Sequence, residues 1–96
     1  MSPADPIQPG VRTATIVNRR GLHARAAAKF VKTVERFQAD VTVQRKEASV
    51  SGLSIMGLMM LAAGPGSSLE LRATGVEAEA ALDALVGLIE AKFDED

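Results

Sequence analysis

The hydrophobic repeat of this chain switches back and forth between two residues and about 3.6, and that alternation constrains the fold more than any other feature. Residues 11–18 (VRTATIVN) are rich in β-branched side chains and alternate, which predicts a strand. From His23 to Phe37 the period changes. Ala27, Phe30, Val31, Val34 and Phe37 fall on one face, while Lys29, Lys32, Thr33, Glu35 and Arg36 take the other. That is an amphipathic helix. Residues 39–45 and 47–50 return to the strand pattern, and Lys46-Glu47 between them favours a hairpin. Residues 54–61 (SIMGLMML) are apolar all round and begin with Ser54, a natural N-cap. Gly64-Pro65-Gly66 marks a turn. Residues 68–74 (SLELRAT) predict a fourth strand. Ala78, Leu82, Leu85, Ile89 and Phe93 then mark a final helix, with Thr74 and Glu77 at capping-box spacing.

The resulting order is βαββαβα. Strands with one apolar face, covered by helices on that side, predict an α+β fold: a two-layer open-faced sandwich with a four-stranded antiparallel sheet. With 96 residues and 47% hydrophobic content, the chain is long enough for one core. Residues 11–96 are therefore expected to form a single domain. Residues 1–10 (MSPADPIQPG), with three prolines, are expected to form a disordered lead.

Composition excludes several function classes. There is no Cys and a single His, which argues against disulfides and a zinc or other metal site. The absence of Trp and Tyr, with three Phe, leaves little for stacking bases, and the net charge of −1 gives no basic footprint. A nucleic-acid partner is accordingly not expected. No apolar run approaches the roughly 18 residues of a membrane span, and the first ten residues lack the apolar core of a signal peptide. The expected location is the cytoplasm, without membrane insertion. Charge is unevenly distributed. Residues 12–46 carry nine Lys/Arg against Glu35 and Asp40, and residues 70–96 carry eight acids against Arg72 and Lys92. A basic half can present an anionic ligand or partner with a positive surface; such runs are also commonly just solvated helix faces.

The sharpest candidate site is Gly21-Leu22-His23-Ala24-Arg25. The only His stands where a strand ends and a helix begins. Free N–H groups and the helix dipole make that position an anion site, where an imidazole tends to stay neutral and nucleophilic. Arg25 can offer its guanidinium fork to phosphate oxygens, and Gly21 permits a tight turn and a close approach by a partner. The alternative reading is that His23 is only a cap and Arg25 a surface charge. The second candidate is the segment 54–61. Six of its eight side chains are large and apolar, more than one short helix can bury. Some of Ile55, Met56, Met59 and Met60 should remain exposed as an adaptable docking patch, unless the segment is simply core. Enzymatic readings fare poorly: nothing places Ser54 beside His23 as part of a triad, and GPGSS lacks the Lys of a phosphate-binding loop.

These two segments, in this order and at this separation, resemble the two signatures of HPr, the histidine phosphocarrier family of the phosphoenolpyruvate-dependent phosphotransferase system. The resemblance spans residues 12–93. The ending Phe93-Asp94-Glu95-Asp96 resembles the nitrogen-regulation branch, NPr. The resemblance implies a carrier component rather than a stand-alone enzyme, monomeric and without a cofactor. His23 would accept a phosphoryl group on Nδ1 from Enzyme I and pass it to enzyme IIA proteins of sugar transport or nitrogen regulation. Arg25 and the amides of Ala24 and Arg25 would hold the phosphate. Ser54 matches a position that an HPr kinase/phosphorylase phosphorylates in some members. Ile55, Met56, Met59 and Met60 match the docking patch. One position departs from the family: Ala26 stands where Pro usually follows the Arg, which leaves the active loop less pre-organised. The competing function is a regulatory interaction domain that signals through phospho-Ser54 without carrying phosphoryl groups.

Overall fold

A computed structural model describes residues 10–95; the expected lead, apart from Gly10, lies outside them. The element order is β1 (Val11–Thr15), α1 (Ala24–Val34), β2 (Asp40–Arg45), β3 (Ala48–Ser51), α2 (Ile55–Met60), β4 (Ser68–Thr74) and α3 (Ala78–Glu90), followed by a short 3-10 turn, Lys92–Asp94. The four strands form one antiparallel sheet in the order β1-β4-β2-β3. β4 therefore sits between the first and second strands, with Leu71 opposite both Arg12 and Val43.

Alternation along the strands decides which face is covered. Ala14, Val41, Val43, Leu69, Leu71 and Ala73 are buried, whereas Thr13, Thr42, Arg72 and Thr74 between them face solvent. Ala27, Phe30, Val31 and Val34 of α1, Leu58 of α2, and Leu82, Leu85 and Ile89 of α3 join the same core. The α+β open-faced sandwich expected from the sequence is the architecture observed. No helix among the described residues is long and apolar enough to cross a membrane.

Several boundaries differ from the sequence expectation. β1 ends at Thr15 rather than at residue 18, although Ile16 N–H still donates to Ser67 O at 2.9 Å. The following residues turn away because Asn18 serves the loop instead of the sheet. α1 ends at Val34; Phe37 lies beyond the helix and still packs on the core, half-buried. The Thr74/Glu77 capping box does not form. Glu77 is itself the N-cap without a side-chain cap bond, and its Oε1 accepts from Gln38 N–H at 2.7 Å, in the connection between α1 and β2. Glu79 is equally occupied: it pairs with Arg12 at 2.6 Å and accepts from Gly10 N–H, tying the start of β1 to α3.

The largest difference is at the end of the last helix. The apolar repeat runs on to Phe93, but α3 stops at Glu90. Lys92, Phe93 and Asp94 have φ of 58°, 55° and 62°. Left-handed backbone is disfavoured for side chains with a Cβ by about 1–2 kcal/mol per residue and persists where surrounding contacts hold it. Here Phe93 is fully buried, and Lys29 Nζ donates to its carbonyl at 2.7 Å. The periodicity placed Phe93 correctly in the core while the chain reverses its hand to return toward α1.

Candidate functional site

The loop from residue 16 to 23 is built to hold His23 at the mouth of α1. Gly21 has φ +66°, and a Cβ there would lie 2.4 Å from Ala63 O and 2.9 Å from Gly64 Cα. Only glycine fits. The close approach is made by this chain's own backbone rather than by a partner, as Leu22 N–H donating to Ala63 O at 2.9 Å also shows. The His23 loop is thereby fastened to the segment that follows α2. Asn18, 1% exposed, completes it: Nδ2 donates to Gly21 O at 2.8 Å and to Glu95 Oε1 at 3.0 Å.

His23 is the N-cap of α1 by its backbone: its carbonyl accepts the first helical bond, from Ala27 N–H at 2.8 Å, and its side chain makes no cap bond. The ring is therefore not spent on capping. The amides of Ala24, Arg25 and Ala26 have no hydrogen-bond partner among the described residues, so three donors remain at the positive end of the helix. Ala26 is fully buried with its N–H unused; the Pro usual in the family would sacrifice no bond there.

The imidazole is more covered than the sequence implied. Its side chain is 14% exposed, and Nε2 is hydrogen-bonded to Glu95 Oε2. Nδ1 has no hydrogen-bond partner among the described residues. The Asn18 amide, followed by His23 and by the more distant charge of Arg20, holds the Glu95 carboxyl below its ordinary value. Beside this pair lies an open depression of 610 Å³ lined by Arg19, Arg20, Arg25, Lys29, Asp94 and Glu95. Four cations facing two carboxylates make it a basin for a small anion. Arg25, itself exposed, lines it. Part of the basic run thus converges on one place, while Lys32 and Arg36 remain on the solvated face of α1 and beyond it.

The second segment divides as a short helix must. Ser54 Oγ accepts from Gly57 N–H at 2.9 Å, a side-chain cap. Leu58 and Leu61 enter the core, whereas Ile55, Met56, Met59 and Met60 are exposed, Met60 by 76%. Leu53 and Val17 add to the exposed apolar surface. The sequence reading missed Asn18, Arg19, Arg20, Lys29 and Glu95. Only Arg19, Arg20 and Lys29 carried a visible signal, as members of the basic run of residues 12–46. The return of Glu95 depends on three left-handed residues that no periodicity encodes.

The family model described as the PTS HPr component phosphorylation site matches residues 11–91. Phosphocarrier protein HPr of Pseudomonas aeruginosa is 54% identical over 82 residues, covering 84% of this chain and 91% of its own. Phosphocarrier protein NPr of Shewanella violacea is 45% identical over 84 residues, covering 88% and 92%. The crystal structure of HPr-C-His from Thermoanaerobacter tengcongensis superposes with a TM-score of 0.85 at 43% identity, covering 90% of this chain and 97% of that one. With its sheet order, its His at the mouth of α1 and these matches over most of its length, the chain belongs to the HPr family of phosphotransferase-system phosphocarriers.

Proposed function

We propose that His23 is the residue that carries the phosphoryl group, receiving it on Nδ1 from Enzyme I and delivering it to enzyme IIA proteins in the cytoplasm. The observation that supports this most is the ring itself: a side chain at the mouth of α1, free of capping duty, beside three unpartnered amides and a basin lined by Arg25. In the forward step the Nδ1 lone pair attacks phosphorus while the bond to Enzyme I breaks, and the leaving atom keeps that electron pair. The amides of Ala24 and Arg25 and the Arg25 guanidinium meet the phosphoryl oxygens. None of these groups is covalent or metallic, so the phosphoryl group is held moderately and remains open to in-line attack by the next acceptor.

Ile55, Met56, Met59 and Met60 form the docking face. Methionine adapts to partners of different shape, and a carrier that must leave each partner needs only a small interface. Ser54 is the regulatory site for an HPr kinase/phosphorylase. A phosphate there would put charge at the edge of the apolar face and weaken docking on Enzyme I.

The test is intact mass measurement after incubation with Enzyme I and phosphoenolpyruvate. Wild-type protein should gain one acid-labile phosphoryl group, and His23→Ala none. Equal labelling of both would refute the role of His23, and no labelling of either would favour an interaction domain governed through Ser54.

A further inference from the structure

We propose that Glu95 is a positioning residue for phosphoryl transfer: by accepting a hydrogen from His23 Nε2, its carboxylate holds the neutral ring in the tautomer that leaves the Nδ1 lone pair free. This rests on the carrier reading given above. Glu95 lies beyond residues 11–91, where the family match ends, so the role belongs to the last turns of this chain.

The argument starts at Asn18. Its Nδ2 lies between Gly21 O and Glu95 Oε1, both acceptors, which fixes the orientation of the amide. Asn18 can only donate to Glu95. The second carboxylate oxygen, Oε2, faces His23 Nε2. An ionised carboxylate has no hydrogen to give, so Nε2 must supply one. In a neutral imidazole, a hydrogen on Nε2 leaves Nδ1 as the bare, nucleophilic nitrogen.

The carboxylate is held firmly enough to do this. The buried Phe93 ring anchors the tail, Lys29 Nζ grips the Phe93 carbonyl, and the left-handed turn aims Glu95 back at the loop. The side chain is 21% exposed. Hydrogen bonding from Asn18 and His23 favours its ionised form. The charged groups around it are Arg19, Arg20, Arg25, Lys29 and Asp94, a balance that also favours a carboxylate.

The same contact serves the product. When Nδ1 forms its bond to phosphorus, the ring still carries the Nε2 hydrogen and becomes formally cationic. No proton needs to leave during the step. The charge appears next to a carboxylate already in place, in the manner of a carboxylate that orients a catalytic imidazole.

Glu95→Gln is a sharp test because the amide cannot satisfy both partners. Facing the fixed donor of Asn18, Gln must turn its oxygen there and its NH₂ toward His23. That arrangement asks Nε2 to accept and moves the hydrogen to Nδ1, the wrong tautomer. Two readouts are needed: ¹⁵N NMR of the His23 ring before any phosphorylation, and the rate of labelling by Enzyme I and phosphoenolpyruvate. Wild type should show the hydrogen on Nε2. Glu95→Gln should shift it to Nδ1 and slow labelling by about tenfold or more. Glu95→Ala, which leaves Nε2 to water, should give mixed tautomers and a smaller loss. A phosphorylated wild type with variants of equal tautomer and rate overturns the positioning role alone. Variants that label faster would also overturn it, since Glu95 would then be an obstruction. A wild type that takes no phosphoryl group at all overturns the carrier reading together with this role.

Discussion

His23 and Glu95 stand 72 positions apart, and the chain closes on itself so that the carboxylate of one meets Nε2 of the other. The contact joins the first helix to the last turn. It requires Gly21 to pass against the Ala63 backbone at one end and Phe93 to reach the core at the other. The environment of the site is thus set by both halves of the sequence, the basic and the acidic.

The clasp should open in acid. The Glu95 carboxyl sits below its ordinary 4.5 in the folded protein because Asn18 and His23 bond its ionised form. A lowered carboxyl contributes its full stabilisation above the unfolded value and loses it as pH falls through the folded one. Docking of the tail should therefore be constant from neutral pH down to about 4.5 and fade below it. The Asn18 side-chain amide resonances, followed by NMR during an acid titration, should report that transition. Resonances that stay constant throughout would contradict the clasp.

Removing the anchor should cost far more than removing the carboxylate. Phe93 is completely buried, and Phe93→Ala should destabilise the protein by about 3–5 kcal/mol. Urea unfolding monitored by circular dichroism measures this. A cost below about 1 kcal/mol would mean that the tail is not held as described.

Arg25 is exposed and makes no structural bond among the described residues. Arg25→Ala should leave the unfolding midpoint unchanged. A charge-assisted hydrogen bond contributes about 1.5–3 kcal/mol, so onward transfer to a IIA protein should slow by roughly 10- to 100-fold. Unchanged transfer kinetics in rapid-quench measurements would remove Arg25 from the phosphate site.

Ser54 separates capping from regulation. Ser54→Ala loses the bond to Gly57 N–H and should cost about 1 kcal/mol, lowering Tm by about 4–8 °C. Ser54→Asp keeps an acceptor at the cap and should be nearly as stable as wild type, yet bind Enzyme I more weakly by calorimetry. Equal affinity would argue against regulation through this residue.

The fold was legible because β2 and β4 bury one face and each long helix one stripe, so period alone assigned Phe30 and Leu85 to the core. The His23 loop was legible for a similar reason: a lone His between Gly and a helix is a local pattern. The rest of the site was not local. Asn18 acts through a bond to a residue 77 positions away. Glu95 arrives through a reversal of hand at Lys92–Asp94, fixed by burial of Phe93 rather than by any residue preference. Glu77 bonds Gln38 in place of closing a capping box, because a tertiary amide lay within reach. Exposure of Met56 and Met60 could be anticipated only as a surplus of apolar side chains on six helical residues.

The central claim is that one ring nitrogen of His23 bears the phosphoryl group. The most direct measurement is ¹⁵N and ³¹P NMR on ring-labelled protein treated with Enzyme I and phosphoenolpyruvate. The account predicts a phosphorus–nitrogen coupling at His23 Nδ1, with Nε2 still bearing its hydrogen. A phosphoryl group on Nε2, on another residue, or on none would contradict it.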